Sequence, residues 1–165
     1  RYLQCAKIFR NTKYSEELCR ALAEQFQDAG VEVVIGPAMG AVQMAYEVSR
    51  HLGCENFFAE REDGKMTLRR GFVVKPGMKV LLVEDVVTTG GSVKEVMEIV
   101  REAGGEIVGV GSIVDRTNGK MDFGVPFKSV IAVDVQAWEP QDCPLCKEGK
   151  IDLVKPGSRK LPVKK

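Results

Sequence analysis

The stretch that decides the fold of this chain covers residues 79–92 and reads KVLLVEDVVTTGGS. It begins with an unbroken apolar run from Val80 to Val83, which is typical of a central parallel strand covered on both faces. Two acids, Glu84 and Asp85, follow where this strand is predicted to end. Because ligands of parallel sheets bind at the carboxyl edge, the two carboxylates are expected at a binding crevice.

The residues after the two acids are suited to holding an anion. Residues 88–92 are small, and their backbone N–H groups can approach a phosphate closely. Ser92 and Glu95 have the spacing of a capping box, which predicts a helix start, and a helix N-terminus attracts phosphate. Acids beside a phosphate cradle indicate a sugar phosphate. The stretch has neither the Gly-Lys-Ser/Thr end of a Walker A loop nor the glycine spacing of a dinucleotide site.

Predicted helices and strands alternate along the rest of the chain. Helices are predicted over residues 16–29, 41–52 and 92–103, and strands over residues 31–35, 55–60, 80–83, 106–114 and 129–135. The charged residues 61–70 are predicted to form a mobile loop or a weak hairpin. This alternation predicts an α/β fold with a doubly wound, mainly parallel sheet flanked by helices.

The 165 residues are enough for one domain with a substantial core. The composition changes after Trp138, where prolines and lysines become frequent. We therefore expect one domain over residues 1–138 and an irregular tail over residues 139–165. The chain begins at Arg1 rather than Met, so an N-terminal segment is expected to precede it.

Charge and composition disfavour several classes of protein. The 24 Lys and Arg residues nearly balance the 23 Asp and Glu residues, whereas proteins that bind nucleic acid duplexes usually have a basic excess. No apolar run approaches the roughly 20 residues that cross a bilayer. The five cysteines are an odd number, and without a visible secretory signal they fit a reducing cytoplasm. Neither nucleic acid nor a membrane is expected as a partner.

The acid–loop stretch resembles the phosphoribosyl-diphosphate motif of the type I phosphoribosyltransferases, and the similarity extends over about residues 1–135. It implies a fold with a partial hood over the site and Mg²⁺ bridging the donor's diphosphate and ribose hydroxyls, with Asp85 nearest the metal. Glu84 and Asp85 are implied to orient the ribose during catalysis. The implied donor-binding residues of the motif are Glu84, Asp85, Val86, Val87, Thr88, Thr89, Gly90, Gly91 and Ser92.

Two further segments resemble the orotate-specific members of that family. Residues 1–7 look like the end of the hood segment that covers the base, which implies that Tyr2 and Leu3 contact orotate. The run Asp115-Arg116-Thr117 also resembles the orotate pattern. Orotate carries a carboxylate, and a guanidinium can bind it through two parallel hydrogen bonds, so Arg116 is the expected partner. Thr88 is expected to touch the base as well.

Lys65 matches the flexible loop that closes over the diphosphate in this family, often from a neighbouring subunit. Loss of pyrophosphate builds negative charge on the leaving group, and a cation that arrives late stabilises that charge and excludes water. The resemblance implies that Lys65 acts on pyrophosphate, with Arg61 as a second candidate. It also implies a homodimer in which the Lys65 loop acts in trans.

The chain departs from the family pattern at two places. The loop at residues 36–41 lacks a lysine found in many relatives, which leaves a backbone cradle for pyrophosphate. Residues 67–69 replace the usual histidine and glycines. Cys143 and Cys146 belong to a Cys-x-x-Cys tail that resembles a shorter branch of the family. This pair is half of a zinc site, a redox pair or a turn with two thiols, and the last interpretation is preferred.

The expected reaction joins orotate to phosphoribosyl diphosphate and yields orotidine 5′-monophosphate and pyrophosphate. Two alternatives remain open at the level of the sequence. A regulator of the same fold could sense phosphoribosyl diphosphate without catalysis, although the Lys65 loop favours an enzyme. A salvage enzyme could use a neutral base, which Arg116 disfavours because such a base needs no fixed cation.

Overall fold

The computed structural model describes residues 3–135, 138 and 142–149. Its strands are β1 (Val33–Pro37), β2 (Glu55–Glu62), β3 (Lys65–Leu68), β4 (Lys79–Val87), β5 (Glu106–Asp115) and β6 (Phe127–Ala132). They form one six-stranded sheet in the order β3-β2-β1-β4-β5-β6. Within this sheet β3 runs antiparallel to β2, and the other neighbouring pairs are parallel. The predicted α/β class with a mainly parallel sheet is confirmed.

Helices cover both faces of the sheet. They are α1 (Thr12–Ala23), which continues as a 3₁₀ helix over Glu24–Ala29, α2 (Val42–Leu52), α3 (Gly91–Glu102) and the short α4 (Pro144–Glu148). On one face, Leu22 of α1 and Val48 of α2 belong to the same buried cluster as Leu81. On the other face, Val96 of α3 packs in a cluster with Leu82. Neighbouring residues of β4 thus enter opposite layers, which confirms the doubly wound arrangement.

The order of the strands reverses between β1 and β4. The chain passes from β1 through α2 to β2 on one side, and later returns to place β4 on the other side of β1. The carboxyl ends of β1 and β4 therefore border a crevice of the kind in which parallel α/β sheets bind ligands. Residues 38–41 follow β1, and residues 88–90 follow β4.

Several element boundaries differ from the prediction. The first helix begins at Thr12, because Asn11 caps it by accepting the N–H of Lys13 at 3.1 Å. The last strand of the sheet covers Phe127–Ala132 rather than residues 129–135. Residues 61–70 contain the end of β2, the turn and the whole of β3, so they form part of a hairpin, which confirms the hairpin alternative.

Only part of the carboxyl-terminal region is described. Cys143 is the N-cap residue of α4. Both the boundary at residue 138 and the irregular tail over residues 139–165 stay predictions. Tyr2, which the sequence predicts to contact the base, lies outside the described residues. Among the described residues, no helix has the length and apolar character needed to span a bilayer.

Candidate functional site

The sequence predicted the two acids at the end of the strand, after Val83. In the structure they lie within the last part of β4, which continues to Val87. The strand continues because β4 stays paired with β5 as far as Val87, which is opposite Asp115. Glu84 and Asp85 are half-buried. The N–H of Asp85 donates to Oε1 of Glu84 at 3.3 Å, and the N–H of Val86 donates to Oδ1 of Asp85 at 2.9 Å. The backbone of β4 therefore holds both carboxyl groups at the sheet edge.

The carboxyl group of Glu84 has a strongly raised pKa. Burial and, to a lesser extent, the negative charge of Asp85 raise the pKa of Glu84 to about 8. Burial and a neighbouring like charge both disfavour the ionised carboxylate. At neutral pH a proton is therefore retained mainly on Glu84. A cationic ligand placed between the two acids would favour the loss of that proton.

The loop after β1 approaches Asp85 with its backbone. A Cβ atom at Gly40 would lie 3.2 Å from Oδ1 of Asp85, which is closer than most side chains tolerate. The loop is tight at its base as well, because a Cβ at Gly36 would lie 2.6 Å from the carbonyl oxygen of Ala41. The N–H of Ala38 donates to the carbonyl of Ala59 in β2 at 2.6 Å. The predicted tight loop at this sheet edge thus presents main-chain atoms beside the acid pair.

The capping box predicted for α3 is wrong. The helix begins at Gly91, and its N-cap is Gly90, which has a left-handed backbone with φ of 69° and supplies no capping side chain. Ser92 lies inside the first turn, two residues after the N-cap position, and Glu95 is paired with Arg61 instead. The N–H groups of this first turn are therefore not satisfied by a capping side chain, and they can bind an anion.

The ring of Phe123, which no sequence pattern pointed to, supports the loop at residues 88–90. A Cβ at Gly90 would lie 2.8 Å from Cε1 of Phe123, whose side chain is buried. Phe123 also packs edge-on against Phe127, with ring centroids 5.2 Å apart. Phe123 lies far from Gly90 in the chain, so no local pattern predicts the contact. Its effect is to fix the backbone between β4 and α3.

The loop after β5 is organised by Asp115, which is only 2% exposed. Oδ1 of Asp115 accepts the N–H and the hydroxyl of Thr117, and Oδ2 accepts the N–H of Gly119, each at 2.7 Å. Burial acts to raise the pKa of Asp115, but these hydrogen bonds outweigh it and leave the pKa below its usual value. The N–H of the intervening Arg116 donates to the carbonyl of Val87 at 2.9 Å. Arg116 is thus held beside the end of β4.

The amino-terminal segment reaches the same edge. Residues Cys5–Lys7 form a 3₁₀ helix that contacts β4, and Cys5 is buried. Burial raises the pKa of Cys5 to about 11, the charge of Asp85 raises it, and the charge of Arg116 lowers it. The contact of this 3₁₀ helix with β4 brings the amino-terminal segment to the strand that carries Asp85. Leu3, two residues before Cys5, is an exposed apolar residue.

The β2–β3 hairpin is attached to α3. Nη2 of Arg61 donates to Oε1 of Glu95 at 2.6 Å, and Nη1 donates to Oε2 at 2.8 Å. Lys65 is the first residue of β3 and is exposed. The structure thus places Arg61, which the sequence suggested as a ligand of pyrophosphate, on a carboxylate of its own chain. Sequence reasoning missed this pair because its members are distant in the chain.

The acid pair is compatible with Mg²⁺ held partly by a substrate. Among the described residues, no group of three or more His, Cys, Asp or Glu side chains could hold a metal ion. Glu84 and Asp85 supply carboxylate oxygens, which Mg²⁺ prefers. The remaining ligands would then be oxygens of a bound substrate and water, as is usual for Mg²⁺.

Comparison with known proteins gives consistent results. The family described as phosphoribosyl transferase domain matches residues 6–145. The orotate phosphoribosyltransferase of Caldanaerobacter subterraneus subsp. tengcongensis is 61% identical over 97% of this chain and 84% of its own length. That of Thermotoga maritima is 55% identical over 98% of this chain and 86% of its own length.

Solved structures resemble the chain as well. The orotate phosphoribosyltransferase of Mycobacterium tuberculosis in complex with 5-phospho-α-D-ribosyl 1-diphosphate has a TM-score of 0.68 and 28% identity. The match covers 80% of this chain and 81% of that one. Adenine phosphoribosyltransferase of Rhodothermus marinus has a TM-score of 0.66 at 20% identity, covering 76% of this chain and 83% of that one. The adenine enzyme supports the fold alone.

Proposed function

The chain belongs to the phosphoribosyl transferase family, and we propose that it transfers the phosphoribosyl group of phosphoribosyl diphosphate to orotate. The products are orotidine 5′-monophosphate and pyrophosphate, and the reaction belongs to pyrimidine biosynthesis. The position of Arg116 supports this substrate most directly, because its backbone is bonded to the end of the strand that carries Glu84 and Asp85. The orotate phosphoribosyltransferases at 53–61% identity support it independently.

In this proposal, β4 and the start of α3 bind the donor. Glu84 and Asp85 accept hydrogen bonds from the ribose hydroxyls. The 5′-phosphate lies against the N–H groups and hydroxyls of residues 86–92, at the positive end of the α3 dipole. The uncapped first turn of α3 supports this role, since its N–H groups need an acceptor.

The reaction is proposed to require Mg²⁺. Asp85 is the residue that would hold it, together with oxygens of the substrate. When bound, Mg²⁺ supplies positive charge against the diphosphate. The backbone of residues 36–41 lies beside Asp85 and would contact the diphosphate without the lysine that many relatives have.

Orotate is proposed to lie between Arg116 and the amino-terminal segment. The guanidinium of Arg116 binds the carboxylate through two parallel hydrogen bonds. Thr88 contacts the base from the donor side, and Tyr2 and Leu3 cover it. The contact of the Cys5–Lys7 helix with β4 supports this arrangement, because Leu3 lies two residues before Cys5 in the chain.

Lys65 is proposed to act on the departing pyrophosphate. As the bond from C1 of the ribose to the diphosphate breaks, positive charge develops on the sugar and negative charge on the leaving group. An ammonium group brought by the hairpin stabilises that charge. Arg61 stays a second candidate, and its pairing with Glu95 is taken up below. A homodimer with the Lys65 loop acting in trans and a cytoplasmic location complete the proposal.

The test is consumption of orotate by the purified protein with phosphoribosyl diphosphate and Mg²⁺, followed by absorbance. Uracil replaces orotate in a parallel assay. The Arg116→Ala variant is expected to raise the KM for orotate by about 10- to 100-fold, the value of hydrogen bonds between charged groups. Arg116→Lys should also have a high KM for orotate, because an ammonium group cannot form two parallel hydrogen bonds with a carboxylate.

Arg101→Ala is the matched control, since Arg101 is exposed at the end of α3. Equal kinetics of the parent with uracil and orotate would contradict the orotate assignment. An unchanged KM for orotate in Arg116→Ala would remove Arg116 from the base site.

A further inference from the structure

A single guanidinium joins three parts of the candidate site. Arg61 lies near the end of β2, and its two Nη atoms bind the two carboxylate oxygens of Glu95 in α3 at 2.6 and 2.8 Å. The same Nη1 donates to the carbonyl of Gly64 in the hairpin turn at 2.8 Å. Arg61 therefore connects β2, the hairpin turn and α3.

Both ends of this connection border groups proposed to bind the donor. Gly64 directly precedes Lys65. Glu95 lies one turn after Gly91, where α3 begins. The residues just before it, 88–90, are called the phosphate loop because they are proposed to bind the 5′-phosphate. The ion pair thus ties the hairpin that carries Lys65 to α3 of the same chain, in addition to the packing of Met66 in one buried cluster with Val96.

This ion pair is poorly placed to contribute to stability. The side chains of Arg61 and Glu95 are 43% and 37% exposed, and exposed ion pairs contribute little to the free energy of folding. The two-pronged geometry is nevertheless directional, because both oxygens of one carboxylate face both arms of one guanidinium. Such a pair fixes an orientation more effectively than it stabilises a fold.

We propose that Glu95 is a positioning residue for the transfer reaction: by holding Arg61, it orients the hairpin so that Lys65 meets the diphosphate. This inference rests on the function proposed above. A misplacement of a catalytic group by about 1 Å can cost up to about 100-fold in rate. Glu95 itself touches neither substrate, so its loss acts on turnover through Lys65.

A competing arrangement makes an opposite prediction. If Arg61 binds the diphosphate directly, Glu95 competes with the substrate for the guanidinium. Removing the charge of Glu95 would then lower the KM for phosphoribosyl diphosphate and leave kcat unchanged. The positioning role instead predicts a lower kcat.

The experiment compares Glu95→Gln with Glu98→Gln, a control on the same helix whose side chain is exposed. Glu95→Gln is expected to lower kcat about tenfold, with the KM for orotate unchanged and the melting temperature close to that of the parent. Glu98→Gln should behave as the parent. A lower KM for the donor with unchanged kcat would overturn the proposal in favour of competition.

A double-mutant cycle separates positioning from general loosening. In a Lys65→Ala background, Glu95→Gln should reduce kcat no further, because the group that it positions is gone. A full tenfold loss in that background would show that Glu95 acts on something other than Lys65 and would overturn the proposal.

Amide hydrogen exchange tests, without any turnover, whether the Arg61–Glu95 ion pair anchors the hairpin to α3; this ion pair is called the anchor below. Glu95→Gln should speed exchange in the hairpin of β2 and β3 and leave β5 unaffected, whereas Glu98→Gln should change neither. If the parent fails to consume orotate, the proposed function fails while this measurement still reports on the anchor. Unchanged exchange in Glu95→Gln would refute the anchor even in an active enzyme.

Discussion

The ring of Phe123 lies where a side chain at Gly90 would have to go, with Cε1 only 2.8 Å from the position of a Cβ atom. The backbone of Gly90 is also left-handed, with φ of 69°. Space and conformation therefore both require glycine at the point where β4 turns into α3. The phosphate loop is shaped from behind by a residue that does not belong to the motif.

Replacing Gly90 by Ala should disturb this loop. The left-handed backbone costs about 1–2 kcal/mol for a residue with a Cβ, and overpacking against the ring costs about 1–3 kcal/mol. We expect a lower free energy of unfolding in urea and a higher KM for phosphoribosyl diphosphate. Adding Phe123→Leu should recover part of the loss.

Gly53→Ala is the control for this prediction. Gly53 has a similar left-handed backbone with φ of 68°, but a Cβ there would meet nothing within 4 Å, and the residue lies outside the site. It should therefore lose only the conformational part of the stability and leave the KM for the donor unchanged. Equal behaviour of the two alanine variants would contradict the role assigned to Phe123.

The raised pKa of Glu84 predicts a dependence of stability on pH. Its pKa in the folded protein is about 8, above the ordinary value of 4.5, so the folded state binds the proton more tightly than the unfolded state. The contribution of Glu84 to the free energy of unfolding should thus fall as pH rises from about 4.5 to about 8, by at most about 1.4 kcal/mol per pH unit. The amide of Glu84→Gln does not ionise, so the free energy of unfolding of this variant should rise relative to that of the parent as pH increases from about 4.5 to about 8.

Urea unfolding at several pH values from 4 to 9 measures this difference. Glu102→Gln, at the exposed end of α3, is the matched control, and its curve should run parallel to that of the parent. If the curve of Glu84→Gln also runs parallel to the parent, Glu84 ionises normally and the electrostatic description of the acid pair is wrong.

Lys65→Ala should lower kcat by about 100-fold or more, the usual cost of removing a group that stabilises transition-state charge. The Kd for orotate should change little, since Lys65 is proposed to meet only the leaving group. Lys75→Ala is a suitable control, because Lys75 is an exposed lysine outside the hairpin. Unchanged turnover in Lys65→Ala would exclude Lys65 from the reaction.

Mixing two inactive variants tests whether Lys65 acts in trans. In a heterodimer of Lys65→Ala and Asp85→Asn, one site receives an intact acid pair from one subunit and an intact lysine from the other. Random exchange of subunits should then restore about a quarter of the parent activity. A hairpin that serves its own site would leave the mixture inactive.

Asp115→Asn should weaken the binding of orotate through the loop that carries Arg116. An amide nitrogen cannot accept the N–H of Gly119, so a hydrogen bond at a buried position is lost at a cost of about 1–3 kcal/mol. We expect a higher KM for orotate with the KM for phosphoribosyl diphosphate nearly unchanged. Asp122→Asn, which alters an exposed bond to Gly124, is the control. A comparable rise in both KM values would argue against a specific effect on Arg116.

Much of the fold could be predicted because its signals are local. The apolar run at Val80 to Val83, the helix stop at Gly53 and the alternation of elements each depend on a few neighbouring residues. These features were sufficient for the parallel sheet and for the acids at its carboxyl edge. The capping box failed although Ser92 and Glu95 have the right spacing: the helix is capped two residues earlier, at Gly90, and Glu95 binds Arg61, which is distant in the chain.

The sequence by itself determined the class of sheet, the acid–loop motif and the set of charged residues available for chemistry, since each depends on residue type and short spacing. Only the tertiary structure decided how those charges are paired. Arg61 binds Glu95, Asp115 holds the loop of Arg116, and burial keeps a proton on Glu84. Pairing and burial depend on distances in space between residues far apart in the chain, and no local pattern encodes those distances.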